Sequence, residues 1–462
     1  MQANASVRRI AHIRDIFSIA WPMLIGQLAV VANGVIDTAM TSRFSTIDLA
    51  ALSIGISIYV TIFVGLNGVL QAIAPVIGQL YGARDFRQIG VTVKQGMWLA
   101  ALLTIIGCAL LLHPAPLLSI ANASPELESK SVLYLQILAT ALPATLGFRI
   151  YSALNNALGR TKMVMAIQIG SLLLKLPLNN LFIFGGLGLP ALGGPGCAVA
   201  TAVISWCMLI AAWLILRYSG QYKTFHLFGE GFIAPRKKDM LHLLRLGIPM
   251  GCSYLIEVTA YTFMALFIAR LGTLPVASHQ IAANFGAVLY MLPLSTANSA
   301  CTLVARQVGA GQWDKARELT RTALWLTIAL ALPVGLLIWW LRPLILRAYT
   351  PDTGIITAAL PLLMCIAFYQ LFDALQVVAA FILRAYHIAV IPTVLYAFAL
   401  WGVGLGGGYL LGIDPLHIVP PALSGAKGFW LANTISIALA ALSLWTYLFH
   451  TENRLARTRP TS

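Results

Sequence analysis

Charge is scarce in this sequence. Only 10% of its 462 residues are Asp, Glu, Lys or Arg, where soluble globular proteins carry about 25%. Acidic residues are scarcer still, 15 against 30 basic ones, for a net charge of +15. So few charges cannot solvate a surface for three soluble domains, the number that the length alone suggests. The six cysteines form no CxxC and pair with no histidine in sequence, which excludes the usual zinc spacings and a disulfide framework. They are expected to be small buried hydrophobes. The eight histidines are dispersed, which argues against a membrane enzyme with clustered ligands near the headgroups. No cleavable signal peptide is expected, because Arg8, Arg9 and Arg14 precede an apolar stretch too long for an h-region.

Apolar residues are abundant, at 59% of the chain. They fall into stretches near 16–41, 50–78, 93–113, 132–154, 163–184, 195–216, 246–269, 277–304, 322–341, 355–383, 389–411 and 426–449. Each is long enough to cross a bilayer as a helix. The predicted fold class is an all-α polytopic membrane protein with twelve transmembrane helices in two parallel-repeat lobes of six.

An even number of spans puts both termini on one side. Of the 30 basic residues, 23 fall in or near the termini and even-numbered loops, six on the other side, and Lys175 deep inside a span. By the positive-inside rule both termini are expected in the cytoplasm. The basic runs are short and lie between apolar spans, which argues against nucleic-acid binding. The longest polar connection contains Arg236-Lys237-Lys238-Asp239 and reads as a solvated linker facing headgroups. The expected organisation is a tail at 1–15, a first lobe at 16–216, a linker at 217–245, a second lobe at 246–449 and a tail at 450–462.

The two halves are related. Pro22-Met23 matches Pro249-Met250, and Gly82-Ala83 matches Gly309-Ala310, both at an offset of 227. Six spans per copy makes the repeats parallel, one of the two symmetries found in secondary transporters, whose substrate path runs between the copies. Pro22, Pro75, Pro177, Pro249 and Pro293 lie inside spans and are expected at packing and kink positions.

Three carboxylates fall inside spans: Asp37, Glu257 and Asp373. An acid in a membrane helix is expensive and marks a functional site by default. The repeat does not duplicate them, since Asp37 corresponds to Met264 and Glu257 to Val30. Glu257 lies 13 residues before Arg270, roughly 20 Å from one membrane face at the helical rise. Asp373 lies 11 residues before Arg384 on an oppositely directed helix, roughly 16 Å from the other face. The two are therefore expected at similar depth, with Tyr369 one turn from Asp373 and no basic residue at that level. Two carboxylates and a phenol offer hard oxygen ligands to a small cation such as Na⁺, or a place to hold a proton. In the first half, Asp37, Lys175, Asn179, Asn180 and Thr201 are expected as a polar cluster about 9 Å below the surface. Lys175 lies one turn deeper than Asn179 on the same face. His279, Gln280 and Asn284 read as interhelical hydrogen-bonding groups, and Asp352 as a solvated charge or helix cap.

Several motifs then converge. Ser278-His279-Gln280-Ile281-Ala282 with Tyr290-Met291-Leu292-Pro293 resembles the eighth-span signature of multidrug and toxic compound extrusion (MATE) transporters of the NorM type. Leu49-Ala50-Ala51-Leu52-Ser53, Leu178-Asn179-Asn180, Phe372-Asp373-Ala374-Leu375-Gln376 and Gly425-Ala426-Lys427-Gly428-Phe429-Trp430 are similar to other parts of that family. The resemblance runs from about residue 12 to 450 and implies two six-helix lobes forming a V. It implies a non-enzymatic inner-membrane antiporter, without cofactor, exporting cationic drugs or toxins in exchange for Na⁺ or H⁺. It assigns ion coupling to Glu257, Asp373 and Tyr369, a further coupling role to Asp37, and cavity positions to Gln280 and Asp352. A monomer is expected. Lys175 departs from the family, where an amide is expected. A flippase for lipid-linked oligosaccharides is the alternative of the same architecture; a channel is less favoured.

Overall fold

In a computed structural model the described residues are 2–118, 125–186, 188–228, 231, 233–415, 420 and 423–457. Arg459, counted above among the terminal basic residues, lies outside them, as do parts of the 217–245 linker. Twelve helical segments among the described residues are long and apolar enough to cross a bilayer. With their loops they make the protein an all-α, multi-pass membrane protein.

The first six segments are α1 (Gln2–Phe44), α2 (Thr46–Leu70) continued by α3 (Ile73–Gly82), α4 (Phe86–Leu112), α6 (Pro125–Ala157), α7 (Thr161–Phe184) and α8 (Gly194–Tyr218), with the short α5 (Ala115–Leu118) between α4 and α6. The second six are α9 (Lys237–Ala269), α10 (Thr273–Gly309), α11 (Trp313–Tyr349), α12 (Thr353–Ala385), a composite segment, and α15 (Ala426–Arg457). The composite is α13 (Val390–Tyr396), a π-helical stretch Ala397–Gly406, and α14 (Gly407–Gly412). Most helices outrun the apolar stretches read from sequence. α9, for instance, begins at Lys237 inside the expected linker, because a polar end can stay helical in water while hydropathy registers only the part in lipid.

Proline acts unevenly. The α2–α3 break at Gln71-Ala72 precedes Pro75 by one turn, where the missing N–H leaves the Gln71 carbonyl without its helical donor. α1, α7, α9 and α10 run on through Pro22, Pro177, Pro249 and Pro293. The π-helical stretch was not anticipated. Its Ala399 carbonyl accepts from Ser436 Oγ of α15 at 2.6 Å, a tie that a side chain on a neighbouring helix supplies.

The chain divides into two units, residues 25–251 and residues 1–24 with 252–462. The cuts precede Ile25 and Cys252, which are 227 positions apart, the offset of the internal repeat. Each falls just after a helix proline, Pro22 or Pro249, where the hydrogen-bond ladder is weakest.

Small residues bring helices close inside each unit. In the 25–251 unit a Cβ at Gly196 of α8 would lie 2.3 Å from the Phe182 carbonyl oxygen of α7. In the other unit a Cβ at Gly335 of α11 would lie 2.6 Å from the Ala367 carbonyl oxygen of α12. Backbones packed this closely are how membrane helices gain contact without a hydrophobic driving force. α10 and α12 form the centre of that unit, and every residue from Val377 to Ala385 is buried.

Candidate functional site

The second-half carboxylates belong to one unit. Glu257 of α9 is half-buried and Asp373 of α12 is 2% exposed. Asp373 Oδ1 accepts from Gln376 Nε2 at 3.1 Å and, at a longer 3.4 Å, from the Tyr369 hydroxyl. Both donors stand about one turn away on the same helix face, which is why α12 alone can build this half of the site. The Tyr369 hydroxyl also hydrogen-bonds the Tyr261 hydroxyl of α9. Tyr261 is one turn beyond Glu257, so a phenol pair ties the two acid-bearing helices together.

The surroundings hold the site in place. The Trp430 ring of α15 meets Tyr369 edge-on, with centroids 6.1 Å apart. Trp430 Nε1 donates to His279 Nδ1 of α10 at 3.2 Å, so His279 serves as interhelical glue. Gln370 Nε2 reaches the Leu289 carbonyl at 3.4 Å. Two buried polar atoms are left over: Gln376 Oε1 and Asn433 Nδ2 have no hydrogen-bond partner, although Asn433 stands beside the Tyr261 hydroxyl. A spare carbonyl oxygen on the glutamine that bonds Asp373, with the Tyr369 phenol and a second carboxylate, Glu257, within electrostatic reach, is a donor set suited to a small hard cation.

One expectation is corrected here. Arg384 marks the end of α12 in sequence, yet it is buried and within electrostatic reach of Glu257. Helical side chains lean toward the helix N-terminus, and the long arginine stem carries the charge back toward the site.

The first-half cluster lies in the 25–251 unit. Lys175 Nζ of α7 is 2.9 Å from Asp37 Oδ1 of α1 and donates to Thr201 Oγ1 of α8 at 2.6 Å. Asn179 Nδ2 donates to the same Asp37 oxygen at 2.7 Å. Thr201 passes its own proton to the Cys197 carbonyl at 2.8 Å, leaving a lone pair for the ammonium. Lys175 and Asn179 are brought to Asp37 because they are one turn apart on α7. Asn180, expected in the cluster, is exposed; one residue further along a helix turns the side chain by about 100°.

The remaining expected residues stand elsewhere. Gln280 is exposed and bonds Asn284 Oδ1 at 3.0 Å. Asp352 caps α12, its Oδ1 accepting from Gly354 N at 2.7 Å and Ile355 N at 3.2 Å. Sequence reasoning overlooked Tyr261, although its spacing from Glu257 signals it. It also passed over Tyr396 and Asn433, which no local pattern connects to the site. A further buried acid, Asp48 in the first turn of α2, is 1% exposed and pairs with Lys130 at 3.0 Å.

This geometry defines a polytopic helical membrane protein with an acidic, phenol-lined site in one unit and a closed ion pair in the other. The MatE family model matches it twice, over residues 22–181 and 249–410, and the chain belongs to the MatE family. The two matches begin 227 residues apart, again the internal offset. A probable multidrug resistance protein NorM of Aromatoleum aromaticum is 38% identical over 92% of each chain. The multidrug resistance protein PmpM of Pseudomonas aeruginosa is 33% identical over 98% of this chain and 94% of its own. Among solved structures, the eukaryotic MATE transporter AtDTX14 shares the fold with a TM-score of 0.86 at 20% identity, covering 97% of this chain and 99% of its own. The bent form of the Vibrio cholerae MATE transporter VcmN gives 0.81 at 19% identity, covering 96% and 98%.

Proposed function

We propose that this protein is a multidrug efflux transporter that exports organic cations in exchange for Na⁺ or H⁺ by alternating access. The observation that carries the reading is Asp373, a buried carboxylate whose partners are a glutamine and a phenol, with Glu257 beside it. Such a pair is costly to leave charged in a low-dielectric interior, so it favours taking up a proton or a small cation. The relatives' names, multidrug resistance proteins, support drugs as the cargo, and an acidic interior suits cationic cargo better than a pyrophosphate.

Binding of the coupling ion at Glu257, Asp373 and Tyr369 favours one arrangement of the protein, and binding of drug favours the other. The two ligands are then linked through one bistable element, and each lowers the affinity for its rival. Asp37 is already neutralised by Lys175, so ion exchange is assigned to the other unit. The distribution of Lys and Arg supports cytoplasmic termini, and the bacterial relatives support an inner-membrane location.

The test is ethidium efflux from vesicles containing the purified protein, under an imposed Na⁺ gradient and separately under a pH gradient. Efflux driven by either is expected. Efflux driven by neither, or large substrate-independent currents, would sink the reading.

A further inference from the structure

Arg384 is a buried cation for which the exchange cycle has so far no use. It occupies the last turn of α12 at 4% exposure. Its Nη1 donates to the Tyr254 hydroxyl of α9 at 3.2 Å. Its guanidinium carbon lies 4.2 Å from the Phe381 ring centre and 5.2 Å from that of Tyr254. Among the described residues no carboxylate forms an ion pair with it. Ring faces and a phenol soften the cost of burying a guanidinium but do not balance its charge.

The balancing charge lies along the helix. Arg384 follows Asp373 by 11 residues, about three turns, which returns it to within about 20° of the same face. Tyr254 precedes Glu257 by three residues and so shares its face of α9. Tyr396 lies within electrostatic reach of Glu257, Asp373 and Arg384 at once, and Tyr290 within reach of both carboxylates and Tyr254. Cys301 of α10 also lies within electrostatic reach of the guanidinium. Glu257 itself lies within electrostatic reach of both Asp373 and Arg384. Tyr254, hydrogen-bonded to the guanidinium and one turn from Glu257 on α9, thus connects a cation to a carboxylate, neither of which has an ion-pair partner among the described residues.

We propose that Arg384, held by Tyr254 and Phe381, is the resident counter-charge of the Glu257–Asp373 site and sets the affinity with which that site takes its coupling ion. Resting on the exchange reading above, this assigns a step to a residue that touches no ion. When the coupling ion leaves, the guanidinium compensates Glu257 across Tyr254. When the ion returns, it must bind against that positive charge, which keeps the site weak enough to release. The planar guanidinium suits the place between two rings, where a lysine ammonium would not stack.

The experiment is ethidium efflux from vesicles, titrated with whichever ion drives the wild type, for Arg384→Gln, Arg384→Lys and Tyr254→Phe. For Arg384→Gln the half-saturating ion concentration is expected to fall about tenfold, the scale of one unit charge acting across about 12 Å at an effective dielectric near 20. The maximal rate should fall as ion release slows, and half-saturation by ethidium should stay put. Arg384→Lys, which keeps the charge, should shift the ion curve less. Tyr254→Phe should shift it in the same direction as Arg384→Gln, and carries the test if that variant does not fold. An ion curve that stays in place or moves to higher concentration in a folded variant overturns the proposal while leaving the exchange reading intact. A wild type that no gradient drives overturns the exchange reading first, and this proposal with it.

Discussion

The Lys175 ammonium lies 2.9 Å from the Asp37 carboxylate, with side-chain exposures of 3% and 10%. The same ammonium is anchored by Thr201 and the same carboxylate by Asn179. Three helices, α1, α7 and α8, meet on this pair. Its counterpart in the other unit is not a pair but an acidic site, so one repeated fold carries two different electrostatic solutions.

Breaking the pair from one side should destabilise the protein. Lys175→Ala or Asp37→Asn leaves one buried charge without its partner, at a cost of about 3–5 kcal/mol. The double variant Asp37→Asn with Lys175→Met removes both charges and should recover most of that loss. Thermal unfolding of the detergent-solubilised protein, followed by tryptophan fluorescence, gives the comparison. A double variant as unstable as either single one would argue against the pairing.

Asp373→Asn should abolish gradient-driven ethidium efflux, while membrane insertion and yield remain as in the wild type. The amide keeps the shape that Gln376 and Tyr369 surround but loses the charge. Glu257→Gln should do the same. Drug resistance of a transporter-deficient host expressing either variant is the second readout, and undiminished resistance would remove the site from the mechanism.

Tyr369→Phe deletes the hydroxyl shared by Asp373 and Tyr261. The ring, packed edge-on against Trp430, should hold the fold. Loss of one hydrogen bond to a charged group is worth about 1.5–3 kcal/mol. The half-saturating concentration of coupling ion is therefore expected to rise by at least about tenfold. Efflux titrated against the driving ion measures it.

Asp352→Ala separates two roles for one carboxylate. Its hydrogen bonds to Gly354 and Ile355 cap α12, and losing a cap costs about 1 kcal/mol. A small drop in thermal stability with unchanged half-saturation by ethidium is expected. A weakened drug affinity at normal stability would instead make Asp352 part of the cargo path.

Much of the architecture was legible because bilayers impose a coarse rule. A helix needs about 20 apolar residues to cross, so hydropathy alone located twelve spans, and the offset of 227 exposed the repeat. The rarity of intramembrane acids singled out Asp37, Glu257 and Asp373 for the same reason. Local periodicity reached one step further and set Tyr369 beside Asp373, and Lys175 one turn deeper than Asn179.

What sequence could not supply were relations between helices, since these depend on rotation and side-chain reach. It listed Asn180 with the Asp37 cluster, and helical rotation turned it outward. It took Arg384 for a mark of the helix end, and tertiary packing buried it within reach of Glu257. It gave no sign that Asp48 of α2 would be buried and paired with Lys130 from another helix. Composition and periodicity determined that this chain is a repeated twelve-span protein with acids inside the membrane. Only the packing of α9 against α12 and of α1 against α7 and α8 decided which charges are free and which are matched, because each interaction at low dielectric depends on a few ångströms that no linear pattern encodes.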